Sequence, residues 1–363
     1  MTEHDFIPKP YTLTKQTGKV SWESPSNIAL VKYWGKKKDQ IPENPSISYT
    51  LNKCKTITAL TYKPNEDVGS FSFEVFLDGE KKDDFKPKIQ TFFERVEQYV
   101  PFLKQFHFII ETKNTFPHSS GIASSASGMS ALALCLMSIE KDLSAEHEIT
   151  DDFFNKKASF LARLGSGSAC RSIEGDLIVW GQTESITDSN DLYGVKYPYE
   201  VHNNFKQYQD TILLVDKGEK QVSSTVGHNL MHGHPFAKNR FNQAHENIAK
   251  LKTILVQGDI EAFISLIESE ALTLHAMMMT SMPYFILMKP HTLEIINKIW
   301  SFRKSTGLPI GFTLDAGANV HVLYPKKDTN KILEFIQNEL VAYCKNGEYI
   351  CDEIGFGANQ IEF

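Results

Sequence analysis

The feature that most constrains this chain is the stretch Phe116-Pro117-His118-Ser119-Ser120-Gly121-Ile122-Ala123-Ser124-Ser125-Ala126-Ser127-Gly128, followed without a break by Met129 to Met137. Pro117 and Gly121 end the strand-like run His107 to Thr112. Ser124, Ser125 and Ser127 are good helix-capping residues and stand before a segment rich in Ala, Leu and other small residues. Such a turn leaves backbone N–H groups unpaired at the positive end of a helix, with hydroxyls beside them, which suits a polyphosphate anion. An ordinary capped core helix has the same spacing, so on spacing alone both readings stand.

The 363 residues, 41% hydrophobic, suffice for a large core in two domains or one large one. A balance of 38 basic against 44 acidic residues leaves a net charge of -6, which argues against general binding to nucleic acid or an acidic membrane. Any anionic ligand therefore needs a local positive site. Five scattered cysteines, Cys54, Cys135, Cys170, Cys344 and Cys351, form no C-x-x-C pair, so neither a disulfide framework nor a zinc ribbon is indicated. A reducing cytoplasm is the expected location. The start carries no basic segment followed by an apolar one, and no apolar run approaches the roughly 20 residues that span a bilayer.

Taken in order, residues 1 to 20 read as a polar arm that becomes ordered near Val20. Asn27 to Lys32 is a strand-like apolar run with a lysine at its end, and a lysine buried there would need a partner or an anion. Lys36 to Lys38 fits a solvated charge run. Pro45 to Asn52, Thr56 to Tyr62 and Ser70 to Leu77 alternate as strands of an antiparallel sheet, and Lys88 to Val100 as an amphipathic helix. Ala145 to Leu164 reads as mostly helical, with Asp151 and Asp152 in the first turn, followed by a second glycine-serine turn, Gly165 to Ser172, and a strand from Asp176 to Gln182. Beyond about residue 205 come a strand, Thr211 to Asp216, and a polar turn, Lys220 to Gly227. Helices follow at Phe236 to Val256, Ile260 to Met279 and Pro290 to Thr306, then strands at Pro309 to Leu314 and Val320 to Tyr324. A last helix spans Thr329 to Cys344. This order predicts two α+β domains, 1–205 and 206–363.

Cys170 stands where a dinucleotide fingerprint needs its last glycine, and no Walker A lysine motif or protein-kinase tripeptide is present. Asp315, in a turn between two apolar strands, can face a cleft or simply close the turn. Arg171 can present a planar fork to a carboxylate or phosphate, or lie on the surface at a helix start. Met277, Met278, Met279 and Met282 read as core filler. His228, His232 and His234 have a spacing that hints at zinc, but Gly233 and Pro235 interrupt the helix that would align them.

Together, Asn27-Ile28-Ala29-Leu30-Val31-Lys32-Tyr33-Trp34-Gly35-Lys36, Pro117 through Ala126, Gly165 to Arg171 and Asp315-Ala316-Gly317-Ala318-Asn319 resemble the GHMP kinase superfamily and, within it, the diphosphomevalonate decarboxylase family. Ser223-Ser224-Thr225, Gly227 and His275 also look like family positions. His118-Ser119-Ser120 departs from the family's Thr-Ala-Ala, and Ala318 from its proline.

The resemblance implies an α+β GHMP kinase fold: an N-terminal domain like domain 2 of ribosomal protein S5 and a ferredoxin-like C-terminal domain, with the site between them. It implies ATP and Mg²⁺ as cofactors and mevalonate 5-diphosphate as substrate, phosphorylated on its 3-hydroxyl and then decarboxylated to isopentenyl diphosphate. Asp315 is then the base, Lys32 its partner, and Arg171 and Asn27 hold the carboxylate. Tyr33, Lys36, Ser166, Gly167 and Ser168 surround the substrate's diphosphate or carboxylate end. Ser119, Ser120, Gly121, Ala123, Ser124 and Ser125 cradle the ATP phosphates. A homodimer is also implied. The alternatives are a decarboxylase of the monophosphate, a 3-kinase that stops after phosphorylation, and a non-catalytic nucleotide-binding module.

Overall fold

The computed structural model describes residues 1–9, 16–67, 69–117, 122–144, 148–216 and 224–362, with the backbone only at Ser224 and Thr225. The first half of the expected turn Lys220 to Gly227 lies outside them, as do His118, Ser119, Ser120 and Gly121, while its second half, from Ser224, is helical rather than a turn.

The first sheet contains β1 (Gly18–Val31), β2 (Ser46–Pro64), β3 (Ser72–Leu77), β4 (Glu80–Lys81), β5 (Phe106–Asn114), β6 (Leu177–Trp180) and β7 (Val195–Lys196). A second, antiparallel sheet is built from β8 (Tyr208–Leu213), β9 (Gly311–Thr313), β10 (Val320–Pro325) and β11 (Tyr349–Glu353), in the order β11-β8-β10-β9. The last strand, β12 (Asn359–Gln360), returns to the first sheet and pairs with β1, giving the order β12-β1-β2-β5-β3-β4. This is the α+β architecture expected.

Three sequence expectations are corrected. The segments placed in two strands around residues 45–62 form one strand, β2, whose pairing with β1 shifts between Asn27↔Thr50 and Pro25↔Lys55. At the shift the Asp352 carboxylate accepts N–H bonds from Asn52, Lys53 and Cys54 at 2.8–3.0 Å, so the irregular backbone needs no ladder partner. Next, β3 runs parallel to β5, not antiparallel, because helix α1 (Lys86–Val96) supplies the crossover between them. The N-terminal arm is ordered well before Val20: Phe6 is buried, stacked on Phe160 with ring centroids 4.4 Å apart.

Helix α2 (Ser124–Leu143) is buried almost all round, between the first sheet and α3 (Asp151–Gly165). Its small residues allow that close approach. Ser127 bonds Thr56 Oγ1 at 2.6 Å, Ser130 bonds Ser24 at 2.5 Å, and Ser138 accepts from Trp22 Nε1 at 2.8 Å. Helix α3 carries Asp151 and Asp152 in its first turn, as expected, and the Thr150 hydroxyl caps the Phe153 N–H.

After the short α4 (Asn203–Lys206) and α5 (Ser224–Asn229), the long helices α6 (Ala237–Gln257), α7 (Ile260–Met279) and α8 (Pro290–Thr306) follow the expected bounds closely. Helix α9 (Thr329–Phe335) is shorter than expected because it opens into a π-turn at Ile336–Leu340. Among the described residues α7 alone is long and apolar enough to cross a membrane, and 61% of its apolar window is buried inside the protein. Its Glu268, Glu270 and His275 are buried too, so it serves as a core helix. Of the methionines read as mostly core filler, Met277 and Met278 pack in the core, whereas Met279 and Met282 are exposed.

Candidate active site

A cleft of about 620 Å³ lies where the end of β1, the start of α2, the turn after α3, α5, α7 and the Asp315 turn converge. Lys32 follows β1 directly and is buried, its Nζ 3.0 Å from Asp315 Oδ1. Its backbone is fixed on both sides. Lys32 N–H donates to Glu270 Oε2 at 2.9 Å, while its carbonyl accepts from Asn44 Nδ2 at 2.9 Å and Arg240 Nη2 at 3.1 Å. Glu270 is itself gripped by Arg240 at 2.6 and 3.0 Å and by Asn247 at 2.6 Å. Burial pushes the Lys32 amine below the usual lysine range, and Asp315 opposes that shift.

Asp315 follows β9. The backbone carbonyl of Asp315 closes its turn, accepting the Gly317 N–H at 2.7 Å and His275 Nε2–H at 3.1 Å, and its carboxylate turns toward Lys32. The reading in which that carboxylate merely caps the turn therefore fails. His275 is kept neutral, its pKa lowered to about 4, chiefly by burial.

Arg171 is buried, not on the surface, and its fork is held by neutral oxygens: Ser48 Oγ at 2.9 Å, Ser46 Oγ at 2.5 Å and Asn27 Oδ1 at 3.2 Å. Asn27 is oriented in turn by donating to Ser172 Oγ at 2.7 Å and Ser168 O at 3.2 Å. Among the described residues no carboxylate pairs with this guanidinium. A buried, unneutralised cation at a cleft wall is suited to an anion.

Ser166, Gly167 and Ser168 line the cleft beside it, in the 3₁₀ turn after α3. Gly167 presses on Tyr33, where a Cβ would come 2.8 Å from the tyrosine hydroxyl. That hydroxyl is buried and has no hydrogen-bond partner among the described residues. Lys36 is half-buried at the same end and bonds Gln40 Oε1 at 3.0 Å.

Across the cleft, α2 begins at Ser124 after Ala123, whose φ of 42° is left-handed and whose side chain cannot cap the helix. Ser124 and Ser125 are at the opening, and Lys88 Nζ reaches Ser125 Oγ at 2.9 Å. Ser119, Ser120 and Gly121 lie outside the described residues.

Sequence reasoning missed Glu270, Arg240, Asn44 and Lys88. One signal was available for Glu270, which shares the apolar face of α7 with Ile267, Ala271 and Leu274 and so implied a buried charge with a partner elsewhere. The zinc spacing does not assemble a site. His228 accepts a bond from Gly35 N–H, His234 meets Met277 O at 3.1 Å and His232 is exposed, and no metal-holding group of three occurs among the described residues.

Fold and cleft define an α+β enzyme of the GHMP type. Residues 24–191 match the family model described as the diphosphomevalonate decarboxylase-like N-terminal domain, and residues 211–356 the mevalonate 5-diphosphate decarboxylase C-terminal domain. The diphosphomevalonate decarboxylase of Saccharomyces cerevisiae is 28% identical over 335 residues, covering 86% of this chain and 79% of that protein. The mevalonate diphosphate decarboxylase structure from Staphylococcus aureus superposes with a TM-score of 0.80 at 29% identity, covering 96% of this chain and 99% of that one. A relative solved in complex with MVAPP, AMPPCP and magnesium also gives 0.80, at 26% identity and 96% and 100% coverage. The chain belongs to the diphosphomevalonate decarboxylase family and is a decarboxylase of mevalonate diphosphate.

Proposed function

We propose that the enzyme phosphorylates the 3-hydroxyl of mevalonate 5-diphosphate with ATP, then expels phosphate and carbon dioxide to leave isopentenyl diphosphate. The observation that carries the proposal is the Lys32–Asp315 pair at 3.0 Å, facing a cleft that also holds Arg171, with which no carboxylate pairs among the described residues.

Asp315 orients the tertiary hydroxyl and accepts its proton as the γ-phosphoryl group arrives. Lys32, adjacent to it, keeps the carboxylate ionised and offsets charge on the transferring oxygens. Once phosphorylated, that oxygen departs with its bonding electrons as phosphate. The electrons of the carboxylate's C–C bond then form the new double bond, and carbon dioxide is released. Arg171 and Asn27 hold the carboxylate anionic and in place until that step. Tyr33, Lys36, Ser166, Gly167 and Ser168 surround the diphosphate.

Ser124, Ser125 and the N-terminal end of α2, where Ala123 supplies no side-chain cap, suit the ATP phosphates, joined by Lys88 and, outside the described residues, by Ser119, Ser120 and Gly121. The apolar end of the cleft, lined by Val75, Leu77, Ile89 and Ile110, suits the base. Mg²⁺, which neutralises phosphate charge when bound, would be held mainly by the nucleotide, because the described residues offer no cage of their own.

The domain division we propose falls near residue 205, with β12 counted with the first half. The five unpaired thiols support a cytoplasmic location, and the family resemblance supports a homodimer, to be tested by light scattering.

Stoichiometric ADP and carbon dioxide from ATP, Mg²⁺ and the 5-diphosphate, lost in Asp315→Ala, is the expected result. Turnover of the 5-monophosphate instead would reassign the substrate. ADP without carbon dioxide would indicate a 3-kinase, and saturable nucleotide binding without turnover a non-catalytic module.

A further inference from the structure

His228, on α5, is a cleft-lining residue to which the chemistry above gives no task. Its ring lies 4.2 Å from the Tyr33 ring and 4.7 Å from that of Trp34, between the two aromatic residues of the segment that ends at Lys36. Gly35 has a φ of +95° and donates its N–H to His228 Nδ1 at 2.9 Å. Gly227 fixes the other side, since a Cβ there would come 2.5 Å from the Trp34 ring. A ring nitrogen that accepts a backbone N–H carries no proton, so in the neutral ring the proton is on Nε2. Among the described residues Nε2 has no hydrogen-bond partner, and the ring forms part of the cleft wall next to the buried, unpartnered Tyr33 hydroxyl.

We propose that His228 is a substrate-contacting residue whose Nε2–H, a neutral donor of fixed tautomer, bonds an oxygen of the substrate's phosphate tail beside Tyr33 and Lys36. This deepens the proposed function and rests on it, because it needs the phosphate tail at the Tyr33–Lys36 end of the cleft. Burial, with Lys36 and Arg171 nearby, holds the imidazole pKa down at about 3, so the ring adds a hydrogen bond without adding a third positive charge. The Tyr33 hydroxyl and the His228 N–H thus form a pair of uncharged donors alongside the two cations, able to read the number and placement of phosphoryl oxygens.

The test compares wild type with His228→Leu, His228→Asn and His228→Gln, measuring carbon dioxide release from mevalonate 5-diphosphate. Asn keeps an acceptor for the Gly35 amide and loses the outer donor, whereas Gln can place an N–H near the Nε2 position. Leu and Asn are expected to raise KM for the diphosphate by about tenfold or more, the loss typical of a hydrogen bond to a charged group, with a smaller effect on kcat and on KM for ATP. Gln is expected to recover part of the loss.

An Asn variant with wild-type KM would show that the ring only supports the Gly35 backbone, and would overturn the proposal. If wild type releases no carbon dioxide from the diphosphate, the proposed function fails as well, which separates the two outcomes. Should the variants fold poorly, ¹⁵N-histidine NMR of the wild type decides. The Nε2-bound proton must move downfield when mevalonate 5-diphosphate is added to the enzyme, and an unmoved resonance refutes the contact.

Discussion

Replacing Glu270 by Gln tests the support beneath Lys32, the lysine proposed to act in phosphoryl transfer. Glu270 is fully buried and accepts four hydrogen bonds, two from Arg240, one from Asn247 and one from the Lys32 backbone. The amide keeps one oxygen and turns an NH₂ group toward donors, while Arg240, also buried, loses its only anionic partner among the described residues. Breaking one side of a buried ion pair costs about 3–5 kcal/mol. At a urea slope of about 3 kcal/mol/M, the unfolding midpoint falls by about 1 to 1.7 M. Because Lys32 is held through its own peptide groups, kcat/KM should fall as well, by about 100-fold for a displacement of the lysine on the order of 1 Å.

The assay is urea unfolding of Glu270→Gln, Arg240→Met and the double variant, with decarboxylation rates measured on each. The double variant should be less destabilised than the sum of the singles, since the apolar side chain removes the stranded charge. A Glu270→Gln midpoint equal to wild type, or strict additivity in the double variant, would refute the reasoning.

Arg171→Gln should lower kcat/KM by about 10- to 100-fold through loss of the proposed carboxylate fork, yet leave the unfolding midpoint unchanged or higher, because the charge is buried and only neutral oxygens bond it among the described residues. Asp315→Asn should slow phosphoryl transfer by about 10²- to 10⁴-fold in single-turnover ADP formation, with nucleotide affinity retained. Lys88→Ala should raise KM for ATP several-fold and leave KM for the diphosphate nearly unchanged in initial-rate kinetics.

Stability should also fall with acid. His228 and His275 have folded pKa values lowered to about 3 and about 4, so below the unfolded value near 6.5 the unfolded chain binds more protons. Their contribution is full above about pH 6.5 and is lost as pH falls through the folded values, at up to about 2.7 kcal/mol per pH unit near pH 5 for the two together. His275→Gln should halve that share in a comparison of pH-dependent urea midpoints.

The parts of the site legible in the sequence were those where a charge breaks a hydrophobic pattern. Lys32 after Ile28-Ala29-Leu30-Val31 needed a partner, and Asp315, 283 positions along the chain, is that partner. The small residues of α2 reported a helix packed closely on both sides, as Ser127 and Ser130 confirm by bonding β2 and β1. What stayed hidden depended on long-range geometry. Nothing local to Asn52-Lys53-Cys54 says that a carboxylate 298 or more residues later will satisfy their amides and keep β2 continuous. Arg240 and Glu270, on separate helices, could be matched only once α6 and α7 were packed. The direction of β3 was likewise set by a crossover helix, which alternation of side chains cannot encode.

The return of β12 to β1 has a practical consequence. The chain leaves the first sheet after β7, builds the second, and comes back through Gly355 and Gly357, where a Cβ would collide with backbone at 2.5–2.6 Å. There Gly355 N–H meets Thr50 O at 2.8 Å and Ala358 N–H meets Ile173 O at 2.8 Å. Strands β1 and β12 thus belong to one sheet, and the second sheet is topologically an insert in it. A fragment ending at residue 205 would expose the free edge of β1 to self-association, whereas joining residue 205 to residue 354 by a short linker would keep that edge covered.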